Sequence, residues 1–255
     1  MRGKPVVSIF AAALMYTGVV NAQGFYVESI HPDRDKEVTK FFYMPKMLKM
    51  VDDDGQTTII RLDKETIYTV DPEKKTYSSM TFDEMKTMMG RAKFKLDDAM
   101  QKRLEKLTPE QRKMVEEKMG AFKNESASSE VTYQVTPTGE TKSISGFSCA
   151  KYIVKKNGKD FQTVWATNQV GGFDNLKKDM TDLTDRLSSA MGAKRNLSLW
   201  FKDVQGFPVQ TESYGSVSVA RKIERKSIPS SEFEVPTGYT KEKNKMEESL
   251  NSMKE

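Results

Sequence analysis

Strict alternation of apolar and polar side chains recurs through most of this chain, and it restricts the fold more than any other feature. Val131, Tyr133 and Val135 alternate with Thr132 and Gln134. Leu197, Leu199 and Phe201 alternate with Ser198, Trp200 and Lys202, and Val217 and Val219 with Ser216, Ser218 and Ala220. In another run Phe147, Cys149 and Ile153 share one face, while Ala150, Tyr152 and Val154 share the other. A period of two predicts antiparallel strands with one face on a core. The connections agree. Asp54-Gly55 and Asn157-Gly158 are two-residue hairpin signals between strand-like runs. Gly139 and Gly146 punctuate others, and Pro45 inside the run 37–51 predicts an edge strand or a break there.

Helical spacing is confined to two stretches. Residues 82–122 are rich in Met, Lys and Glu, and Phe82, Met85, Met89, Met100, Leu104, Met114, Val115 and Met119 recur at near-helical intervals. Thr108-Pro109-Glu110-Gln111 is a capping box with Pro at the first helical position, so it divides the insert into helices at about 82–106 and 109–122. Leu176, Met180, Leu183, Leu187 and Met191 stripe a further helix at about 174–191, closed by Gly192. The charged tail, 241–255, reads as frayed helix or disorder. No repeat and no strand–helix alternation points to a parallel sheet. The expected class is therefore mainly antiparallel β (α+β), one domain over 23–240 with the helical insert 82–122.

The N-terminus predicts export. Arg2 and Lys4 precede an uncharged, mostly apolar run, Pro5 to Val20, and Val20-Asn21-Ala22 offers small residues for cleavage after Ala22. The run is shorter than the roughly 20 apolar residues a membrane span requires, so residues 1–22 read as a signal peptide. Removing them takes away two cations and no acid, lowering the net charge from +5 to +3. The remaining chain has no transmembrane stretch and no concentrated basic face of the kind nucleic acid requires. The expected destination is periplasmic or secreted.

Little in the sequence points to catalysis. His31 is the sole histidine, and it lies beside Pro32 and Asp33 in an expected loop; one histidine does not make a multi-histidine zinc site. Cys149 is the sole cysteine, so no intramolecular disulfide forms, and its apolar surroundings predict a buried, inert thiol. Asp52-Asp53-Asp54-Gly55 lacks the alternate spacing of a calcium loop and reads as a solvated turn. Glu116-Glu117 and Glu247-Glu248 read as solvated helix acids, and the sequons at Asn124 and Asn196 are short enough to arise by chance. No cofactor and no metal is expected, and the chain is expected not to be an enzyme.

Several segments in order carry a resemblance: Asp71-Pro72 with Lys75-Thr76-Tyr77, Gly139-Glu140-Thr141-Lys142 leading to Ile144-Ser145-Gly146-Phe147, Val164-Trp165-Ala166-Thr167, Gly206-Phe207-Pro208, and Phe233-Glu234-Val235-Pro236-Thr237-Gly238-Tyr239. Together they resemble a family of exported bacterial proteins known as a domain of unknown function. That family is similar in fold to the periplasmic lipoprotein carriers LolA and LolB. The resemblance implies a curved, open half-barrel sheet with helices over its concave side and room for acyl chains between them. It transfers no catalytic residues, and the insert 82–122 is longer than such a lid needs.

Two functions follow as expectations. The first is an exported non-catalytic binding protein for an apolar ligand, a lipid or acyl chain, in a groove between the sheet and the helices. Its expected lining is Trp165, Trp200, Leu176, Met180, Leu183 and Leu187, since amphipathic tryptophans and flexible methionines suit such walls. The second is a protein-interaction module in which the Met-rich insert meets an envelope partner.

Overall fold

Twelve strands make one open sheet in the computed structural model, which describes residues 23–115, 131–191, 200–244 and 247–248. The first meander contains β1 (Gln23–His31), β2 (Glu37–Met44), β3 (Met47–Val51), β4 (Thr57–Arg61), β5 (Thr66–Asp71) and β6 (Thr76–Thr81). The second contains β7 (Tyr133–Ile144), β8 (Phe147–Lys156), β9 (Lys159–Thr167), β10 (Phe207–Ser213) and β11 (Ser216–Ser227). Helix α1 (Phe82–Glu105) and the start of α2 (109–115) follow β6, while α3 (Phe173–Ala190) and the short α4 (Trp200–Asp203) separate β9 from β10. The meanders join by antiparallel pairing of β1 with β11, from Gln23 opposite Ser227 to Ile30 opposite Val219.

Local chemistry accounts for the hairpins. Asn157 and Gly158 both have positive φ, 51° and 76°, which a two-residue turn matched to strand twist requires. Pro45 does break the long run: with Lys46 at φ 67° it makes the turn between β2 and β3. Three acids before Gly55 do form a turn. The Asp54 carboxylate accepts from the Gln56 N–H at 3.0 Å, and the Asp53 carboxylate from the Val38 N–H at 3.3 Å.

Both faces of the sheet are covered in part. The main core lies on one face, where Phe25, Val27, Tyr43, Leu48, Val209 and Ala220 meet α3. On the opposite face Phe233, in a 3-10 turn (Ser230–Phe233), packs with Met44, Ile59, Val70 and Ile228. Arg61, 6% exposed, fixes that segment by donating to the Phe233 carbonyl at 3.3 Å and to the carboxylates of Asp63 and Glu234. A third cluster joins Tyr152, Val154, Val164, Ala166 and Val204.

Two expectations need correction. The alternation at 197–202 predicts a strand, yet 200–203 is a helical turn; 192–199, with Gly192, lie outside the described residues. A run that short satisfies both periods, and tertiary packing decides between them. The sheet is mainly antiparallel as expected, and among the described residues its one short parallel pair is β12 (Thr240–Lys241) with β6 at Thr76 and Tyr77. The start of the tail thus joins the sheet edge rather than fraying. The expected signal peptide and 116–122 of the insert also lie outside the described residues.

Candidate functional site

Helix α3 seats its apolar stripe on the main core. Leu176 and Leu183 are buried, and Met180 and Leu187 are half-buried, in one cluster with Phe25, Tyr43, Leu48 and Trp165. The Trp165 ring is 8% exposed and carries the Lys142 ammonium 4.1 Å above it, a cation–π contact. Five of the six expected lining residues therefore come together, and they pack against one another. Trp200 does not join them. It sits on α4 rather than on a strand, and it packs in the cluster of Tyr152, Val154 and Val164.

An acid inside that stripe has a clear structural role. Asp179, 4% exposed, accepts from the Tyr43 hydroxyl at 2.9 Å and from the Lys46 backbone N–H at 2.7 Å, and it pairs with the Lys46 ammonium at 2.9 Å. Burial first, and then this bond, push the Tyr43 phenol well above its ordinary value. One turn on, Asp182 pairs with Arg186 at 2.9 Å and Lys46 at 3.1 Å, and Arg186 reaches Glu65 at 2.9 Å. The Arg186 hydrogen bond, supported by Lys46, holds the Asp182 carboxyl low. These contacts clamp α3 to the β2–β3 turn through Lys46 and to the β4–β5 turn through Glu65. A carboxylate at position 179 of an otherwise apolar stripe is the sequence signal for it.

Open volume lies elsewhere. Helix α1 leaves β6 through a capping box: Thr81 Oγ1 accepts from the Glu84 N–H at 3.1 Å, and Glu84 accepts from the Thr81 N–H at 2.7 Å. Between α1, the end of β6 and the residues after β12 runs a cleft of about 670 Å³. Its floor includes Met80 and Met88, each nearly buried, and its walls carry Asp83, Arg91 and Lys243. A neighbouring hollow of about 330 Å³ shares Met80 and Lys243 and adds Ile67 and Met85. The backbone explains the gap. Thr240 N–H donates to the Lys75 carbonyl at 3.0 Å and Glu242 N–H to the Tyr77 carbonyl at 2.7 Å. Odd-numbered residues of β6 thus turn their backbone groups to the edge, and the next of them, Ser79, lines the cleft. A smaller trough of about 210 Å³ lies on the sheet over Val27, Phe41, Val209 and Ala220.

Neither Cys149 nor His31 lines any of these spaces. Cys149 is fully buried, and burial pushes its thiol up, which makes it a poor nucleophile at neutral pH. His31 Nε2 lies 3.4 Å from Thr39 Oγ1. Among the described residues no group of three or more His, Cys, Asp or Glu side chains is placed to hold a metal ion. Among them, too, no helix is long and apolar enough to cross a membrane.

Fold and site together define a class: an open, mainly antiparallel sheet with helices between β6 and β7 and between β9 and β10, and a cleft at one sheet edge. The chain belongs to the family DUF4412, a domain of unknown function, whose model matches residues 83–239. That span begins in α1 and leaves β1 to β6 outside it. No curated protein matches the chain. Among solved structures, that of PNGF-II is similar at 11% identity and a TM-score of 0.38 over 91% of this chain. The chain spans 33% of that structure's length.

Proposed function

We propose that this is an exported, non-catalytic binding protein for an apolar ligand, a lipid or acyl chain, held between the sheet and a helix. The cleft beside α1 carries the reading. Its volume of about 670 Å³ falls in the range of small-molecule sites. Its methionine floor is adaptable. Each buried methylene contributes about 0.8 kcal/mol, so about five methylenes offset the roughly 4 kcal/mol at the low end of the cost of association. The groove under α3 is already occupied by Trp165, Leu176 and Leu183, which favours the α1 side. The resemblance to the LolA and LolB carriers points the same way, as does the export reading of residues 1–22.

Native mass spectrometry with lipid extraction, on protein purified from its own envelope fraction, tests the reading. A bound amphiphile should be retained, and Thr87→Trp should displace it, because Thr87 is exposed and lines the cleft. Retention unchanged in a folded Thr87→Trp variant would remove the cleft from consideration. The same spectrum reads export: the intact mass should begin at Gln23.

A second reading, an interaction module for an envelope partner, is favoured by Phe94 and Met114, 73% and 58% exposed on the insert. Changing both to Asp should release a co-purifying partner while ligand retention stays constant. Loss of neither would refute the interaction reading.

A further inference from the structure

We infer that a hollow where the start of β9 meets the β10–β11 turn binds a neutral saccharide, stacked on Tyr214 and Phe161 and hydrogen-bonded by Gln162, Thr163 and Glu212. Two backbone irregularities present the rings. Tyr214 and Gly215 make the two-residue turn between Ser213 and Ser216, at φ 52° and 80°. Among the described residues Tyr214 is the one aromatic side chain at positive φ, where bulky residues are uncommon. It is also 85% exposed, so burial does not offset that placement. Phe161 is the extra residue of a bulge: Gln162 pairs with Val154 and Asp160 with Lys155, which leaves Phe161 without a partner on β8. A bulge of this kind re-aims a side chain. Ser213 Oγ donates to the Phe161 carbonyl at 3.1 Å and ties the two segments together. The Tyr214 and Phe161 rings meet edge-on with centroids 5.7 Å apart, and the Tyr133 ring lies 5.8 Å from that of Phe161.

The hollow beside these rings has a volume of about 320 Å³, at the lower end of small-molecule sites. Ile153, Thr163 and Glu212 line it as cross-strand partners on β8, β9 and β10, so they share one face of the sheet. The side chains of Gln162, Thr163 and Glu212 form no hydrogen bond or ion pair with another described residue. Charge narrows the ligand. No Lys or Arg lines the hollow, so nothing there holds an anion. Asp160 lies 3.8 Å from the Lys155 ammonium, and the Lys156 ammonium stands 5.4 Å from the Phe161 centroid. Cations of this chain thus already meet the acid and the ring that a cationic ligand would use. An alkyl chain would desolvate an amide, a hydroxyl and a carboxylate without pairing any of them. A hexose unit answers each constraint: it is neutral, its C–H face suits the Tyr214 ring, and its hydroxyls suit Gln162, Thr163 and the Glu212 carboxylate.

Isothermal titration of the full chain with cellohexaose, chitohexaose and maltohexaose tests this, with hexalysine as the cationic comparison. At least one hexasaccharide should bind with a Kd of about 1 mM or below. Its affinity should be the same in low and high salt, because no ion pair forms. Tyr214→Asn should weaken binding about tenfold. The thermal midpoint of that variant should not fall, since Asn-Gly is the favoured pair for such a turn. Glu212→Gln keeps the shape but removes the charged acceptor, and it should weaken binding about threefold. Absence of binding by all three saccharides, binding that survives Tyr214→Asn, or binding of hexalysine alone would overturn the inference. None of these outcomes bears on the α1 cleft, whose lining shares no residue with the hollow.

Discussion

Replacing Asp179 by Ala perturbs the clamp between α3 and the β2–β3 turn. The carboxylate accepts from the Tyr43 hydroxyl and the Lys46 N–H, and it pairs with the Lys46 ammonium. Hydrogen bonds to a charged partner contribute about 1.5–3 kcal/mol each. The Lys46 side chain is 42% exposed, so its share belongs with weak surface pairs. The Tyr43 hydroxyl, on a residue 1% exposed, is left without its acceptor, and an orphaned buried donor costs about 1–3 kcal/mol. Relief of the carboxylate's own desolvation offsets part of this. A net loss of about 3 kcal/mol follows, a large fraction of the 5–15 kcal/mol typical of a folded domain. With a urea m-value near the upper end of about 1–3 kcal/mol/M, the midpoint should fall by about 1 M. A double-mutant cycle sharpens the test. Tyr43→Phe should cost about 1 kcal/mol in the native background and nothing, or less than nothing, once Asp179 is gone, because the hydroxyl it removes is then unpaired. A loss below about 0.5 kcal/mol for Asp179→Ala, or an equal cost of Tyr43→Phe in both backgrounds, would refute the reasoning.

Stability should also depend on pH at both ends. The phenols of Tyr43 and Tyr26 are raised, Tyr26 to about 12, with burial the first cause in each. The folded state therefore keeps protons that the unfolded chain releases near pH 10, and urea midpoints should decline above that value. Asp63 and Asp182 are lowered by hydrogen bonds from Arg61 and Arg186, so their contribution is present above about pH 4 and fades as pH falls further; a flat midpoint across either window would contradict the assignment. Gly24→Ala should destabilise by about 2 kcal/mol in calorimetry, since an added Cβ would collide with the Tyr43 carbonyl oxygen and come 2.9 Å from Ile228 Cδ1. Cys149 should react with a thiol reagent only at the rate of unfolding, and fast labelling of the native chain would show that its strand opens.

Features set by neighbouring residues were legible in the sequence. Asn157-Gly158 makes the expected two-residue turn through its φ preference, whereas Asp54-Gly55 lies in a five-residue loop, 52–56, where only Gly55 takes a positive φ, 82°; Thr108 with Gln111 makes the expected reciprocal cap, with Gln111 N–H donating to Thr108 Oγ1 at 3.3 Å. The α3 stripe was equally plain, because five apolar positions at helical spacing leave little choice of period. The pairing of β1 with β11 was not, since it joins residues about 200 positions apart and no local signal encodes register at that distance. Asp179 passed unnoticed because a helix acid is usually solvated; its meaning depends on Tyr43, which arrives from another strand. The residues around Trp200 misled because alternation over so few positions is also consistent with one helical turn.

The cleft was hidden for a related reason, and that reason bears on why a site would form there. An open sheet has two edges, and each needs protection from unwanted pairing. The β7 edge protects itself: it carries Pro137, an irregularity between Pro137 and Thr141, and a mostly exposed polar sequence. The β6 edge has none of these devices and relies on β12, which covers it for two residues only. Beyond Tyr77 the chain turns away while α1 rises from Thr81, so the sheet edge, the helix and the tail diverge around Met80. The uncovered space thus arises from three segments of different sequence origin, none of which marks it alone. With Ser79, Asp83 and Thr87 in its lining beside Met80 and Met88, the cleft offers polar groups beside its apolar floor. That combination suits an amphiphile better than a wholly apolar molecule, which would leave those groups without a partner.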